Sequence, residues 1–287
     1  VLSEQGLKVF KQNGDKIAET IRQFRKLLVN PGSSDYLVLS LKLYDRLIQP
    51  VETFLGHRNL ILVPHGALHY LPFNVLHDGQ RYLIERYSIR ILPSASVIKY
   101  LQTKKSSKTA GILAFGNPDL GDPRQNLVYA QSEALAVVQT RLQSKVLLGK
   151  NATETAFKRY GSSFPYIHFA THGQFNADTP LKSAILLAKD AENDGMLTVD
   201  KLYSARLDAD LVTLSACETG MGKIANGDDM IGLTRGFLYS GCSSIVASLW
   251  KVDDRATSDL MIQFYTNMKT PDKQEALRQA QLLTRKK

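Results

Sequence analysis

The sequence predicts an α/β protein in which a mostly parallel β-sheet lies between two layers of helices, with a helical pair before it. From residue 59 onward, short continuous apolar runs alternate with helical patterns, which is typical of strands buried on both faces. Before that point, apolar residues recur at helical spacing. The chain has 287 residues, 44% of them hydrophobic and 22% charged, which is enough for a substantial core.

The N-terminal segment predicts two helices that pack as an antiparallel pair. Residues 3–28 form an amphipathic pattern that "VNPGSSD" ends, and Ser34 or Asp35 would cap the second helix. We assign residues 1–58 to this helical segment, which would suit the end of an upstream helical-repeat region, and residues 59–287 to the main domain. Since the first residue is not Met, we expect a fragment of a longer chain or a processed product.

Eight apolar runs in the main domain predict strands, and helical patterns separate most of them. The runs are NLILVPHG (59–66), YSIRIL (87–92), GILAFGNP (111–118), SKVLLG (144–149), YIHFATHG (166–173), SAILLAKD (183–190), DLVTLSAC (210–217) and SSIVASLW (243–250). In a parallel sheet of this kind, ligands and catalytic groups gather beyond the carboxyl ends of the strands. The residues that end these runs are therefore the candidates for chemistry.

Composition excludes several classes of protein. No apolar run approaches the roughly 18 residues of a membrane-spanning helix, and no signal-peptide pattern is present, so we expect a cytoplasmic protein without membrane contact. The two cysteines, Cys217 and Cys242, are too few for a disulfide framework, which also indicates a reducing compartment. There is no C-x-x-C or H-E-x-x-H motif, so we expect neither a metal nor a cofactor.

The formal net charge is +9, and the basic residues are spread along the chain. The densest stretch, "KYLQTKKSSK" at residues 99–108, lacks a recognition-helix pattern, so we expect a solvated surface there rather than specific nucleic-acid binding. An effector that contacts nucleic acid through this stretch remains an alternative, and a strong salt dependence of the affinity would reveal it.

A histidine and a cysteine end two of the predicted strands. His172 closes "YIHFATHG" just before Gly173, and Cys217 closes the apolar part of "ADLVTLSACETGMG". His168 points to the same face of its strand as His172, but lies inside the strand, and we interpret it as a core residue. Taken singly, a cysteine on a strand-end loop and a strand-terminal histidine are more often structural than catalytic.

Taken together, the two residues predict nucleophilic chemistry. A neutral imidazole within reach can take the proton of a thiol, and the thiolate can then attack a carbonyl carbon. The backbone N–H groups of Gly173 and Cys217 are natural donors to the resulting oxyanion, because both lie where the chain leaves the sheet. His172 would act as the base and Cys217 as the nucleophile.

Four motifs in the same order resemble the CHAT domain family of caspase-like proteins, which often follow tetratricopeptide repeats. They are "FATHG", "LSACETG", "GDDMIGLTRGFLYSG" and "SIVASLWKVDD", and "LVPHGALHYLPFNVL" at residues 62–76 matches the upstream CHAT segment. The resemblance covers roughly residues 35–285. It implies a caspase-like fold related to separases, and a His-Cys dyad that falls on His172 and Cys217.

The same resemblance implies a cysteine endopeptidase that cleaves a protein substrate in a signalling or defence pathway, such as bacterial defence, and is switched on by a protein partner. In separases an acidic residue after a W-x-V-x-D segment binds a basic side chain of the substrate. "LWKVDD" offers Asp254 at the matching place, beside Asp253, and a carboxylate there could pair with arginine through two hydrogen bonds. The competing interpretation is that Asp253 or Asp254 caps the following helix.

Three further points stay open at the level of the sequence. Asp228 and Asp229 also form an acidic pair, which we interpret as a helix cap. CHAT domains usually close with a strand near a tryptophan, whereas this sequence ends in "QLLTRKK", so an edge of the sheet would be left unpaired. The alternatives to an endopeptidase are an interaction module with the same fold and an inactive dyad, and a hydrolase of small amides or esters.

Overall fold

A computed structural model describes the chain apart from residues 4–5, 31–33, 57–58, 104–110, 175, 177, 219–227, 250–252, 269–271 and 286–287. Contacts divide the chain into two compact units. The first consists of Val1–Ile98 together with Asp272–Lys286, and the second of Lys99–Pro271. The boundary at residue 58 that the sequence suggested falls inside the first unit.

The first unit contains short strands and helices from both ends of the chain. In chain order they are β1 (Leu2–Ser3), β2 (Gly6–Leu7), α1 (Ile17–Leu28), α2 (Tyr36–Leu47), β3 (Asn59–Leu62), α3 (Leu83–Arg86) and β4 (Ser88–Ile91), and α10 (Lys273–Arg285) joins them from beyond the second unit. Strands β3 and β4 pair in parallel. The helical pair packs into the same core as these strands, since Phe24, Leu43 and Leu60 belong to one buried cluster.

The N-terminal pattern is helical over only part of its predicted length. The spacing predicts one helix over residues 3–28, but α1 begins at Ile17, and the described residues before it form the antiparallel pair of β1 and β2 and a stretch without regular secondary structure. Lys16, directly before the helix, has a left-handed φ of 58°, and Gly14 lies two residues earlier. Glycine is a poor helix former, so helical propagation ends there and the apolar spacing further back is not used.

The second unit holds the main sheet and its helices. Helix α4 (Val97–Thr103) crosses the division between the two units. The elements that follow it are β5 (Ile112–Pro118), α5 (Val128–Gln139), β6 (Lys145–Gly149), α6 (Glu154–Tyr160), β7 (Tyr166–Gln174), β8 (Ala184–Leu186), β9 (Met196–Thr198), α7 (Val199–Ser204), β10 (Leu211–Glu218), α8 (Asp228–Tyr239), β11 (Ile245–Ala247) and α9 (Asp254–Asn267).

The main sheet is mostly parallel. Its strands lie in the order β11-β10-β7-β5-β6, and every neighbouring pair along that path is parallel. Strands β8 and β9 extend it as antiparallel additions at the end of β7. The predicted strand at residues 59–66 is not part of this sheet. It forms β3 of the first unit, where Ile61 and Val63 are exposed.

Helices cover both faces of this sheet. On one face, Phe157 of α6, Leu202 of α7 and Phe237 of α8 share a buried cluster with two residues of β7, Ile167 and Phe169. On the other face, α5 and α9 pack against each other and against the strands. Because side chains alternate along a strand, His168 faces the α5 and α9 side. The predicted arrangement of a mostly parallel sheet between helices is therefore found in this unit.

Candidate active site

His172 and Cys217 lie directly opposite each other on neighbouring parallel strands. The register of β7 and β10 pairs Cys217 with His172, and Glu218 with Gly173. Both positions lie at the carboxyl ends of their strands, which end at Gln174 and Glu218. Adjacent strands in a sheet are only about 4.8 Å apart. The fold therefore brings together the two residues that the sequence selected, although they lie far apart in the chain.

The ring of His172 is held by a backbone carbonyl. Its Nε2 lies 2.7 Å from the carbonyl oxygen of Gln125. A carbonyl oxygen can only accept a hydrogen bond, so Nε2 must carry the proton. In the neutral ring Nδ1 is then the unprotonated nitrogen. This atom is buried and, among the residues that the structure describes, it has no hydrogen-bond partner. The arrangement leaves His172 with a free proton acceptor.

Gln125 ends a short turn that precedes α5. The turn runs over Pro123–Gln125, and the carboxylate of Asp122 accepts a hydrogen bond from the backbone nitrogen of Arg124 at 3.0 Å. The side-chain pattern of the sequence does not point to Gln125, because the group that bonds to His172 is a backbone oxygen. The one available signal was the Asp-Pro pair, which is typical of a turn.

His168 has a different role from His172. It is fully buried, and its Nε2 lies 2.8 Å from Oε1 of Glu133 on α5. Its ring meets the ring of Tyr265 on α9 edge-on, with centroids 5.4 Å apart, and the Tyr265 hydroxyl lies 2.8 Å from Oγ1 of Thr213. Burial raises the pKa of Tyr265, so this hydroxyl stays protonated. The prediction that His168 belongs to the core is confirmed.

The two aspartates after "LWKV" lie at the start of α9 and bind different helices. Asp253 is the N-cap of α9, because its Oδ1 accepts a hydrogen bond from the backbone nitrogen of Ala256 at 2.9 Å. Asp254 Oδ2 accepts from the backbone nitrogen of Tyr129 at 2.9 Å, in the first turn of α5. The predicted cap of the following helix is thus Asp253, whereas Asp254 bonds to the first turn of α5 instead. The role of either residue in binding a substrate stays a prediction.

The remaining candidates are placed only in part. Gly173 pairs with Glu218 on one side and with Ile185 of β8 on the other, and its role as an oxyanion donor stays a prediction. Asp228 and Asp229 lie in the first turn of α8. The glycine-rich segment after β10 lies at 219–227, outside the described residues, as do residues 104–108 of the basic stretch and 250–252 of "LWKVDD".

The described part of the chain contains no cluster of three His, Cys, Asp or Glu side chains that could hold a metal ion. None of the helices described is both long enough and apolar enough to cross a membrane. Cys242 is buried, and its Sγ donates to the carbonyl oxygen of Ser244 at 2.9 Å. This matches the sequence interpretation of Cys242 as a small buried residue.

A mostly parallel sheet between helices, with His172 and Cys217 on neighbouring strand ends, defines a protein of the α/β class. Comparison with known families gives the same answer in more detail. The model of the CHAT domain family matches residues 38–287, and the chain belongs to that family.

Two curated relatives share the name tetratricopeptide repeat protein 28. The mouse (Mus musculus) protein is 25% identical over 283 residues, which covers 79% of this chain and 12% of the relative. The human (Homo sapiens) protein is 28% identical over 284 residues, covering 79% of this chain and 11% of the relative. The chain therefore spans only about an eighth of the length of these relatives.

Proposed function

We propose that the protein is a cysteine endopeptidase in which His172 is the base and Cys217 the nucleophile. The observation that carries this proposal is the register of β7 and β10, which sets the two residues side by side at the carboxyl end of the sheet. The bond from His172 Nε2 to the Gln125 carbonyl supports it further, because it leaves Nδ1 free to receive a proton. Membership of a family related to cysteine proteases is consistent with this chemistry.

The reaction begins when His172 Nδ1 takes the proton of the Cys217 thiol. The thiolate attacks the carbonyl carbon of the scissile peptide bond, and the carbonyl oxygen becomes an oxyanion that the N–H groups of Gly173 and Cys217 stabilise. His172 then returns its proton to the leaving amine, which breaks the C–N bond and leaves a thioester on Cys217. Water, deprotonated by His172, hydrolyses the thioester and restores the thiol.

Gln125 supports this cycle in both protonation states of His172. When the ring is neutral, the carbonyl selects the form with the proton on Nε2. When the ring is charged, the partial negative charge of the same oxygen faces the imidazolium, which lowers the free energy of the ion pair with the thiolate. A third catalytic side chain is not required, because the carbonyl both orients the ring and stabilises its charge.

We further propose that the substrate is another protein, and that a protein partner switches the activity on. Both follow from the family resemblance. The basic side chain of such a substrate would meet Asp254, whose second carboxylate oxygen is not needed for the bond to Tyr129. The activity would serve a signalling or defence pathway. Helical repeats in a longer chain could regulate it.

The test is a survey of new amino termini in a denatured proteome. The library is incubated with the native protein, with Cys217→Ala, with His172→Ala and with Cys242→Ser, which is the matched control for removal of a thiol. We expect cuts with the native protein and with Cys242→Ser alone. Cuts that persist in Cys217→Ala would contradict the assigned nucleophile, and the residue before each cut would report the specificity.

One observation favours a second candidate, an interaction module without catalysis. His172 is only 8% exposed, which a closed or unused site would also show. Alkylation separates the two candidates without a known substrate. A thiol activated by His172 reacts faster with iodoacetamide than an ordinary thiol at neutral pH, and His172→Ala removes that advantage. If Cys217 reacts equally fast in both proteins and no new amino termini appear, the interaction module is the better description.

A further inference from the structure

We propose that Asn117 is a positioning residue for His172. From a bulge at the end of β5, its side-chain amide holds the turn whose Gln125 carbonyl binds the imidazole. The inference rests on the proposed function only in so far as His172 is the base. Its structural content, that Asn117 controls the bond between Gln125 and His172, can be tested without any catalytic assay.

Asn117 is the extra residue of a β-bulge. The register between β5 and β6 passes from Gly116 directly to Pro118, which leaves Asn117 without a partner. Its φ is 44°, in the left-handed region that asparagine tolerates better than most residues. Bulges redirect side chains, and they are common beside active sites. Here the bulge falls at the carboxyl end of a strand that is next to β7, on the same edge of the sheet as His172.

The redirected amide makes two hydrogen bonds to the residues that follow Gln125. Asn117 Oδ1 accepts from the backbone nitrogen of Leu127 at 3.0 Å, and Nδ2 donates to the side-chain oxygen of Asn126. Leu127 is the N-cap of α5 and makes no side-chain cap bond of its own. The start of α5 is therefore held by side chains from other elements, with Asn117 on β5 and Asp254 on α9.

The bond to His172 depends on this restraint. The neighbours of Gln125 in the turn, Arg124 and Asn126, are exposed, so the turn gains little from burial. A backbone carbonyl accepts well only when it points at the donor. Without the amide of Asn117, the turn can rotate and withdraw the Gln125 oxygen, and the ring of His172 is then free to turn away from β10. A small displacement of a catalytic group is enough to slow a reaction strongly.

Two variants remove the restraint from opposite sides. Asn117→Gly deletes the amide and keeps the left-handed backbone, which glycine adopts without strain. Leu127→Pro deletes the N–H that Asn117 accepts from. Asn126 already has φ −69° and ψ 124°, the extended conformation that a following proline requires, but the φ of Leu127, −99°, must change by about 20–35° to reach the range of proline. Asn117→Asp keeps the Oδ1 acceptor. Gln143→Gly is the matched control, since Gln143 is exposed and also has a left-handed φ, of 58°.

The first readout is the Nε2–H proton of His172 in protein labelled with ¹⁵N-histidine, assigned with His172→Gln. A buried, hydrogen-bonded imidazole proton exchanges slowly and gives a signal. We expect the signal in the native protein, in Asn117→Asp and in Gln143→Gly, and its loss in Asn117→Gly and Leu127→Pro. The second readout is the rate of Cys217 alkylation against pH, followed by peptide mass spectrometry. We expect a fall of about tenfold at neutral pH in the same two variants.

The outcomes distinguish failure of the positioning role of Asn117 from failure of the proposed protease function. A folded Asn117→Gly protein with the native His172 signal and native alkylation would overturn the proposal, and so would loss of the signal in Gln143→Gly. If Asn117→Gly does not fold, Leu127→Pro decides in the same way. If the signal behaves as expected but no peptide is cut and Cys217 is not activated in the native protein, the proposed protease function fails while the positioning by Asn117 stands.

Discussion

His172 takes its orientation from a backbone carbonyl rather than from a carboxylate or amide side chain. The Gln125 oxygen lies 2.7 Å from Nε2, and the opposite nitrogen has no described partner. Among the residues that the structure describes, no side chain bonds to the ring of His172. The side chains of Asn117 and Asp254 instead bond to the backbone around the Gln125 turn and the start of α5.

Asp254 has two candidate roles that a pair of substitutions can separate. Asp254→Ala removes both the charge and the acceptor for the Tyr129 N–H, and we expect it to lower the free energy of unfolding by about 1 kcal/mol, the usual value of a helix cap. Asp254→Asn keeps an oxygen acceptor and should cost much less. Urea unfolding measures both.

The same variants test the binding of a basic substrate residue. If Asp254 pairs with arginine or lysine of the substrate, Asp254→Asn loses cleavage after those residues while its stability stays near native. Continued cleavage after arginine in Asp254→Asn would exclude this specificity role. An unchanged stability of Asp254→Ala would exclude the capping role instead.

At the scale of elements, helix α5 connects the core to the candidate site. Glu133 within the helix bonds His168, and Gln125 just before the helix bonds His172, so the helix and its lead-in contact the same strand at two histidines. Gly116 of β5 lets the helix lie close to the sheet. A Cβ at this position would lie 2.6 Å from Cβ of Ala134 and 2.8 Å from Cδ2 of Leu148.

Gly116→Ala should therefore displace α5. Leu148 Cδ2 can rotate away, but Cβ of Ala134 cannot yield without moving the helix. We therefore expect a loss of about 1–3 kcal/mol in the free energy of unfolding, together with a weaker Nε2–H signal of His172. Gly232→Ala in α8 is the matched control, since its Cβ would meet nothing closer than 3.8 Å. That substitution should stabilise the protein by about 0.5–1 kcal/mol, as alanine does in a helix interior. Equal stabilities in urea would contradict this account of the packing.

Asp200, at the start of α7, gives a pH-dependent contribution to stability. Hydrogen bonds from the Lys182 ammonium and the Thr198 hydroxyl lower the pKa of Asp200 to about 2. A lowered folded-state pKa means that the contribution is present above the unfolded pKa of about 3.9 and is lost as the pH falls toward 2. The Lys182 and Asp200 side chains are 60% and 40% exposed, so solvent screening limits the effect to less than about 1 kcal/mol.

Urea unfolding at several pH values tests this contribution. We expect Asp200→Asn to be less stable than the native protein at neutral pH, and the two proteins to converge as the pH falls through the range between the two pKa values. A difference that stays constant across that range would show that the carboxylate charge is not the cause. Asp178, an exposed aspartate for which no side-chain ion pair is described, serves as the control position.

At the scale of the whole molecule, the sequence predicted the main sheet better than the first unit. The buried runs of β5, β7 and β10 are continuous and apolar, so their identity as strands follows from local pattern. The meeting of His172 with Cys217 depends on the pairing of two strands distant in the chain, and only the family resemblance implied it. The run at 59–66 looked equally strand-like, but nothing local in it specifies which strand is its partner. It pairs with β4 in the first unit instead of joining the main sheet.

The residues of the candidate site also differ in whether the sequence reveals them. His172 and Cys217 are side chains at strand ends, and their types and positions can be seen in the sequence. The Gln125 carbonyl and the contact from Asp254 to α5 depend on how distant segments pack, and residue type does not encode them. Asn117 shows this best, because "GNP" suggests only the end of a strand, whereas its left-handed φ and two bonds to the next turn exist only in the fold.

The first unit depends on α10, which comes from beyond the second unit in the chain. Arg278 of α10 donates from Nε and Nη2 to the carbonyl oxygens of Ile84 and Glu85, at 2.7 Å each. We expect Arg278→Ala to cost about 2 kcal/mol, because hydrogen bonds from a charged group are lost and two carbonyls lose their donor. In Arg278→Ala, amide hydrogen exchange should increase more in β3 and β4 than in β7, relative to the native protein.

Arg285→Ala is the matched control for this prediction. Arg285 pairs with Glu85 at 3.1 Å, but its side chain is 51% exposed, so its removal should cost less than about 1 kcal/mol. If both variants lower protection in β3 equally, the contacts of Arg278 with the two carbonyls stabilise the unit no more than the exposed ion pair of Arg285. If exchange in β7 rises as much as in β3, the two units do not unfold separately.

The return of the chain to its first unit also sets an order of events during synthesis. Residues 1–98 leave the ribosome before 99–271, yet the contacts of α10 with β4 and α3 cannot form until residues 272–286 have been translated. The second unit is continuous from Lys99 to Pro271, so its strands can pair before residues 272–286 are translated. We therefore expect the nascent chain to acquire its His172–Cys217 sheet while residues 1–98 still lack their contacts with α10.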